Sequence, residues 1–173
     1  VTVQVQKSAE ALALYLACLI AGFAYHPLNP GYKTKELEYF VTNAEPAIVI
    51  CENANLQDFR SIAEDAGTQH VYTLASDGSG TLSALADRAK ADFTTVTSAA
   101  SDLAALLYSS GTTGVPKGIM LTHGNLLANT ETLIKAWGFT SEDKLLHSLP
   151  VFHVHGLFVA IGCVITLWLI SIA

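Results

Sequence analysis

Residues 108–118 read Tyr108-Ser109-Ser110-Gly111-Thr112-Thr113-Gly114-Val115-Pro116-Lys117-Gly118. Apolar runs flank them, residues 103–107 before and 119–121 after, so the stretch falls between two expected strands. A turn that only reverses two strands needs about two special residues. Here three glycines, four Ser/Thr hydroxyls and a lysine fall together. Glycine lets backbone N–H groups approach an anion with no Cβ in the way, and successive N–H groups can form an anion-holding nest. The hydroxyls add donors and Lys117 adds a full positive charge. The chemistry expected is a phosphate-gripping loop between two strands. It is not a Walker A loop, because Pro116 and not glycine precedes the lysine. Nor is it a nucleophile elbow, since no G-x-S-x-G frames either serine. The bland alternative is a Gly/Ser/Thr linker, and a Pro-Lys-Gly terminus set between apolar runs argues against it.

Upstream, residues 8–21 read as a helix with Ser8 as N-cap, Leu12, Leu16, Leu19 and Ile20 as its apolar face, and Gly22 closing it. A short strand over 23–26 runs into the turn Pro27-Leu28-Asn29-Pro30-Gly31. Thr34 opens a second helix with Leu37, Phe40 and Val41 on one side, and Glu45-Pro46 stops it. Strands follow at 47–51 and 71–74, separated by a helix with Leu56, Phe59, Ile62, Ala63 and Ala66 in register and Gly67 after it. A short helix is expected over 82–89 and an exposed Thr/Ser/Ala connector over 94–101. Downstream of the loop, residues 119–122 complete a hairpin between buried strands, and Asn125 caps a helix that Gly138 ends. Residues 143–149 read as a further strand that Pro150 terminates. Strands alternating with helices indicate an α/β fold, layered around a largely parallel sheet.

A length of 173 residues suits one domain with a real core. An apolar fraction of 51% lies at the hydrophobic end for a soluble protein. With 9 basic against 15 acidic residues the net charge is −6, and no basic patch marks a nucleic-acid binder. Cys18, Cys51 and Cys163 lie far apart in apolar runs, so reduced buried thiols are expected, in the cytoplasm or an organelle matrix, mitochondria included. Residues 157–173 carry no charge and approach the length of a membrane span, but lack flanking Lys/Arg and an aromatic belt. They read as a core helix. Because the chain opens on Val1 and ends on that apolar run, it reads as a piece of a longer protein.

The second chemical cluster is Leu149-Pro150-Val151-Phe152-His153-Val154-His155-Gly156-Leu157. On an extended segment His153 and His155 would face one side, a spacing that suits a metal if His123 or His147 supplied a third ligand. Histidines bonded to nearby carbonyls are the structural alternative.

Taken together, these stretches resemble the AMP-forming adenylating enzymes: acyl-CoA synthetases, adenylation domains of peptide synthetases, and firefly luciferase. The loop 108–118 is similar to their signature phosphate loop, with Ser109 where the usual pattern has Thr. Residues 22–32, Gly-Phe-Ala-Tyr-His-Pro-Leu-Asn-Pro-Gly-Tyr, resemble a mainly structural block of the family, and Pro150-x-Phe-His-x-x-Gly156 resembles its acyl-pocket motif. The variant His153-Val-His-Gly-Leu157 is similar to the malonyl-CoA and methylmalonyl-CoA synthetase group, and a histidine-bearing wall suits a dicarboxylate.

The resemblance implies a two-step ligase using ATP, Mg²⁺ and CoA, in which a carboxylic acid becomes an acyl-adenylate and then a thioester. Ser109, Ser110, Gly111, Thr112, Thr113, Gly114 and Lys117 would hold phosphates, with Ser109 nearest the metal-bound end. His153 would line the reacting carboxylate and act with Lys117 in catalysis. His155 and Gly156 would form the far end of the substrate pocket or its support. Residues 1–173 would be part of an N-terminal AMP-binding domain, with the adenine, ribose and lysine sites and the lid domain beyond them. The alternatives are a short-chain, fatty or aryl acyl-CoA synthetase, or a catalytically dead truncated product.

Overall fold

The computed structural model describes residues 1–109 and 115–172. Four short parallel strands form its centre: β1 (Thr2–Gln4), β2 (His26–Pro27), β3 (Ile48–Cys51) and β4 (His70–Thr73), in the order β2-β1-β3-β4. Thr2 aligns with His26 on one side and Val49 on the other, and Ile48 aligns with His70. β1 escaped the sequence reading, although Val-Gln-Val alternates as a strand should. The expected strand over 23–26 is shorter and shifted, to His26–Pro27.

Alternation along β3 explains the layering. Ile50 joins a core with Val3, Tyr15, Tyr25 and Phe158, while Val49 and Cys51 join another with Leu37, Phe40 and Phe59. Helix α1 (Ala9–Ile20) and the C-terminal segment therefore pack on one face, and helices α2 (Thr34–Ala44) and α3 (Leu56–Asp65) on the other.

Ser8 caps α1 as expected, its hydroxyl accepting the Ala11 N–H at 3.0 Å. The buried stripe is rotated from the expected leucines, however, to Ala11, Tyr15 and Cys18, and Ile20 is exposed. The small Ala11 and Cys18 permit close approach to the sheet, and Tyr15 meets Tyr25 edge-on at 5.2 Å. α2 buries Leu37, Phe40 and Val41 as expected and stops at Glu45, which takes a left-handed turn with φ 44° before Pro46. The short helix α4 (Thr81–Ala86) follows β4.

The hairpin β5 (Leu103–Ser109) and β6 (Lys117–Thr122) is antiparallel. It joins the rim of the sheet at β2, where the Tyr25 N–H donates to Ala104 and the Leu106 N–H donates back to Tyr25. β6 is not a buried strand. Ile119 and Met120 are exposed, because β6 pairs only with β5 among the described residues.

Helix α5 (His123–Trp137) is capped three residues earlier than expected. Thr122 Oγ1 accepts the Asn125 N–H, and Asn125 Oδ1 accepts the Thr122 N–H, a reciprocal box. Residues 143–149 form no strand, and Leu146 is almost fully exposed. They have no described ladder to join. The tail is helical as expected, a π-helical stretch His155–Ile161 continuing into α6 (Gly162–Ile172). Among the described residues no helix is long and apolar enough to cross a membrane.

Candidate nucleotide and acid site

β5 and β6 bring the two ends of the phosphate-loop stretch side by side. The ladder pairs Ser109 with Lys117 and Tyr108 with Gly118, so a hydroxyl residue faces the lysine across the hairpin mouth. Ser110, Gly111, Thr112, Thr113 and Gly114, the other expected phosphate ligands, lie outside the described residues.

Directly beside this mouth is a cavity of about 90 Å³. Pro27 comes from the end of β2, Asn29 and Tyr32 from the segment after it, Phe40 from α2, Tyr108 from β5, and His153 from the second cluster. Three stretches far apart in the chain thus meet at one point. The block at 22–32, expected to be mainly structural, supplies cavity wall. Phe40 and Tyr108 pack with ring centroids 4.8 Å apart, and the Phe152 and His153 rings lie 4.4 Å apart.

Buried Gln4 holds the wall from beneath. Its amide nitrogen donates to the Asn29 carbonyl at 2.9 Å, and its amide oxygen accepts from Asn55 at 3.1 Å. No motif pointed to Gln4. A polar residue at the centre of an alternating Val-Gln-Val run was the only available signal.

Below Tyr108, with ring centroids 5.3 Å apart, sits His26, 3% exposed. Its Nδ1 shares a hydrogen bond with Thr2 Oγ1 at 2.9 Å, while Nε2 is buried with no partner among the described residues. Burial, and then the nearby Val1 amine, push its pKa down to about 3, so the ring is neutral. Burial, with Tyr39 adding to it, raises the pKa of the Tyr108 hydroxyl.

The two histidines of the second cluster do not share a side. The chain turns into helix at Val154, where residues two apart diverge by roughly 200° in a helix of ordinary pitch. His153 borders the small cavity, whereas His155 borders a different, apolar one with Trp137, Phe139 and Leu149. His147 is engaged elsewhere, its Nε2–H donating to the Gly156 carbonyl at 3.0 Å. Among the described residues no three His, Cys, Asp or Glu side chains converge as a metal site, and His123 and His147 do not join His153 and His155 as the third ligand that reading needs. Gly156 packs with a Cβ position only 1.9 Å from the Pro150 carbonyl oxygen, so only glycine fits the closed turn that presents His153.

The AMP-binding enzyme family profile matches residues 1–167. The chain belongs to the AMP-binding enzyme family. Among its relatives in that family, the mitochondrial malonate–CoA ligase of Xenopus laevis is 32% identical over 148 residues, 85% of this chain and 25% of that protein. The malonate–CoA ligase of Arabidopsis thaliana is 30% identical over 157 residues, 90% of this chain and 26% of that protein. The crystal structure of ATP-bound MatB from Rhodopseudomonas palustris matches with a TM-score of 0.92 at 48% identity, covering 96% of this chain and 33% of that one. The chain spans about a quarter to a third of the length of these proteins. Its α/β fold is that of the family's N-terminal domain.

Proposed function

We propose that this chain is the nucleotide- and acid-gripping part of an AMP-forming acid–CoA ligase, and that the acid is malonate. The observation that carries the reading is the convergence of Tyr108, the segment after β2 and His153 on one small cavity beside the Ser109–Lys117 mouth. In the first step the acid's carboxylate attacks the α-phosphate of ATP and pyrophosphate leaves. In the second, the CoA thiol displaces AMP to give the thioester.

Lys117 and the loop hydroxyls and amides compensate charge on the β- and γ-phosphates as the bond to the α-phosphate breaks. Ser109 offers a hard oxygen donor opposite that lysine and would help to hold Mg²⁺, which would neutralise phosphate charge. His153, on the cavity wall, would line the reacting carboxylate, and adjacency of the two bound reactants supplies much of the remaining acceleration.

Asn29, Tyr32 and His153 give the wall polar groups, which suit a second carboxylate. His155, facing another cavity, belongs to the support of the helix and not to the acid's surroundings.

Malonate, octanoate and coumarate should be compared by pyrophosphate release from the complete ligase. Malonate is expected to lead by tenfold or more in kcat/KM, and preference for octanoate or coumarate overturns the substrate assignment. The 173 residues alone are expected not to turn over, because they span only part of such a ligase. Malonyl-CoA formed by the isolated chain would refute that. The expected setting remains the cytoplasm or an organelle matrix.

A further inference from the structure

Helix α2 touches the hairpin mouth twice. Tyr39 Oη donates to the Pro116 carbonyl oxygen at 2.8 Å, one residue before β6, the strand that leaves the loop. One helical turn later Asn43 Oδ1 accepts from Tyr108 Oη at 2.6 Å, on the strand entering it. Residues four apart share one helix face, so a single rigid element holds both stems. Phe40, lying between them in sequence, fills the space beneath, 4.8 Å from the Tyr108 ring and 5.4 Å from the Tyr39 ring. The anchor itself is firm, since Leu37 and Val41 on the inner face of α2 are buried against the sheet.

These contacts differ from ordinary core packing. Asn43 is exposed and Tyr39 half-buried, so neither hydrogen bond is needed to satisfy a deeply buried group. The hairpin is already closed by its own ladder. What α2 adds is a fixed position for the hairpin mouth relative to the cavity that Phe40 and Tyr108 also line. Pro116 immediately precedes Lys117, so holding its carbonyl sets the backbone from which the lysine reaches.

We propose that Tyr39 and Asn43 are positioning residues for nucleotide phosphates, acting through Pro116 and Tyr108 to hold the loop mouth and Lys117 over the acid cavity. The proposal rests on the phosphate-loop reading of 109–117. It predicts a penalty confined to the nucleotide. In the complete ligase, Tyr39→Phe is expected to raise KM for ATP about three- to tenfold, the range of one lost hydrogen bond, with KM for malonate and the melting temperature unchanged. Asn43→Ala is expected to act in the same direction, and Asn43→Asp, which keeps an acceptor for Tyr108, to restore the wild-type KM for ATP.

A merely structural role would lower the melting temperature and leave KM for ATP in place, and that result overturns the proposal. So does a rise in both KM values together, which would place the residues at the acid. Lys117→Gln separates the two levels. Unchanged ATP kinetics in Lys117→Gln would sink the phosphate-loop reading and the proposal with it. A large ATP defect in Lys117→Gln with none in Tyr39→Phe or Asn43→Ala would sink the proposal alone.

Discussion

His26 lies under Tyr108 with Nδ1 bonded to Thr2 and Nε2 without a partner among the described residues. Burial depresses its pKa to about 3, against an unfolded value of about 6.5. Below pH 6.5 the unfolded chain gains a proton that the folded one refuses until about pH 3, so stability falls as pH drops through that window. The slope contributed is up to about 1.4 kcal/mol per pH unit. His26→Gln is expected to flatten the denaturation-midpoint profile between pH 6 and 4 by up to one proton. An unchanged slope would mean that His26 titrates normally. Gly156 provides a steric counterpart. Its missing Cβ would lie 1.9 Å from the Pro150 oxygen, so Gly156→Ala must displace the turn that carries His153. A loss of about 2–3 kcal/mol is expected by denaturant unfolding, and wild-type stability would show that the turn yields without cost.

Among the elements, the start of α5 shows how far local pattern carries. The segment Thr122-His-Gly-Asn125 contains two residues able to cap, and the sequence alone suggested Asn125. The helix begins three residues earlier because Thr122 and Asn125 satisfy each other's N–H groups. Thr122→Ala is therefore expected to cost about 1 kcal/mol in chemical denaturation. Thr122→Ser should recover most of it, and a null effect of Thr122→Ala would return the cap to Asn125. Elements with strong local signals, such as Ser8 ahead of α1 and Glu45-Pro46 after α2, stood where their residues indicated.

Elements defined by long-range partners were misread. β1 is only three residues long and gains its identity from two parallel neighbours. Residues 143–149, read as a strand from the sequence, form none and have no described partner. The same division runs through the site. The hairpin around 108–118 was legible because two apolar runs flank a Gly- and hydroxyl-rich stretch, and Ser109 and Lys117 pair across its mouth. The divergence of His153 from His155 was not, because it depends on a helix beginning at Val154. Gln4, Tyr39 and Asn43 make tertiary contacts to Asn29, Pro116 and Tyr108, which no spacing encodes.

For the molecule as a whole, the question is whether its two cores open together. They lie on opposite faces of one sheet only four strands wide, and residues of β3 alternate between them. Cys18 belongs to one core and Cys51 to the other, each almost fully buried, with pKa values pushed up to about 11 and about 12 by burial. Neither thiol should react with a disulfide reagent at pH 8 until the structure opens. Phe59, with no exposed surface, sits in the Cys51 core, and Phe59→Ala should cost about 3–5 kcal/mol. If a sheet this narrow cannot keep one face packed while losing the other, that cost raises the open population for both thiols. Labelling of Cys18 and Cys51, followed separately by mass spectrometry, is then expected to accelerate by a common factor of about a hundred or more. Acceleration at Cys51 alone would show instead that the α2–α3 layer opens by itself, leaving α1 and the strands beneath it folded.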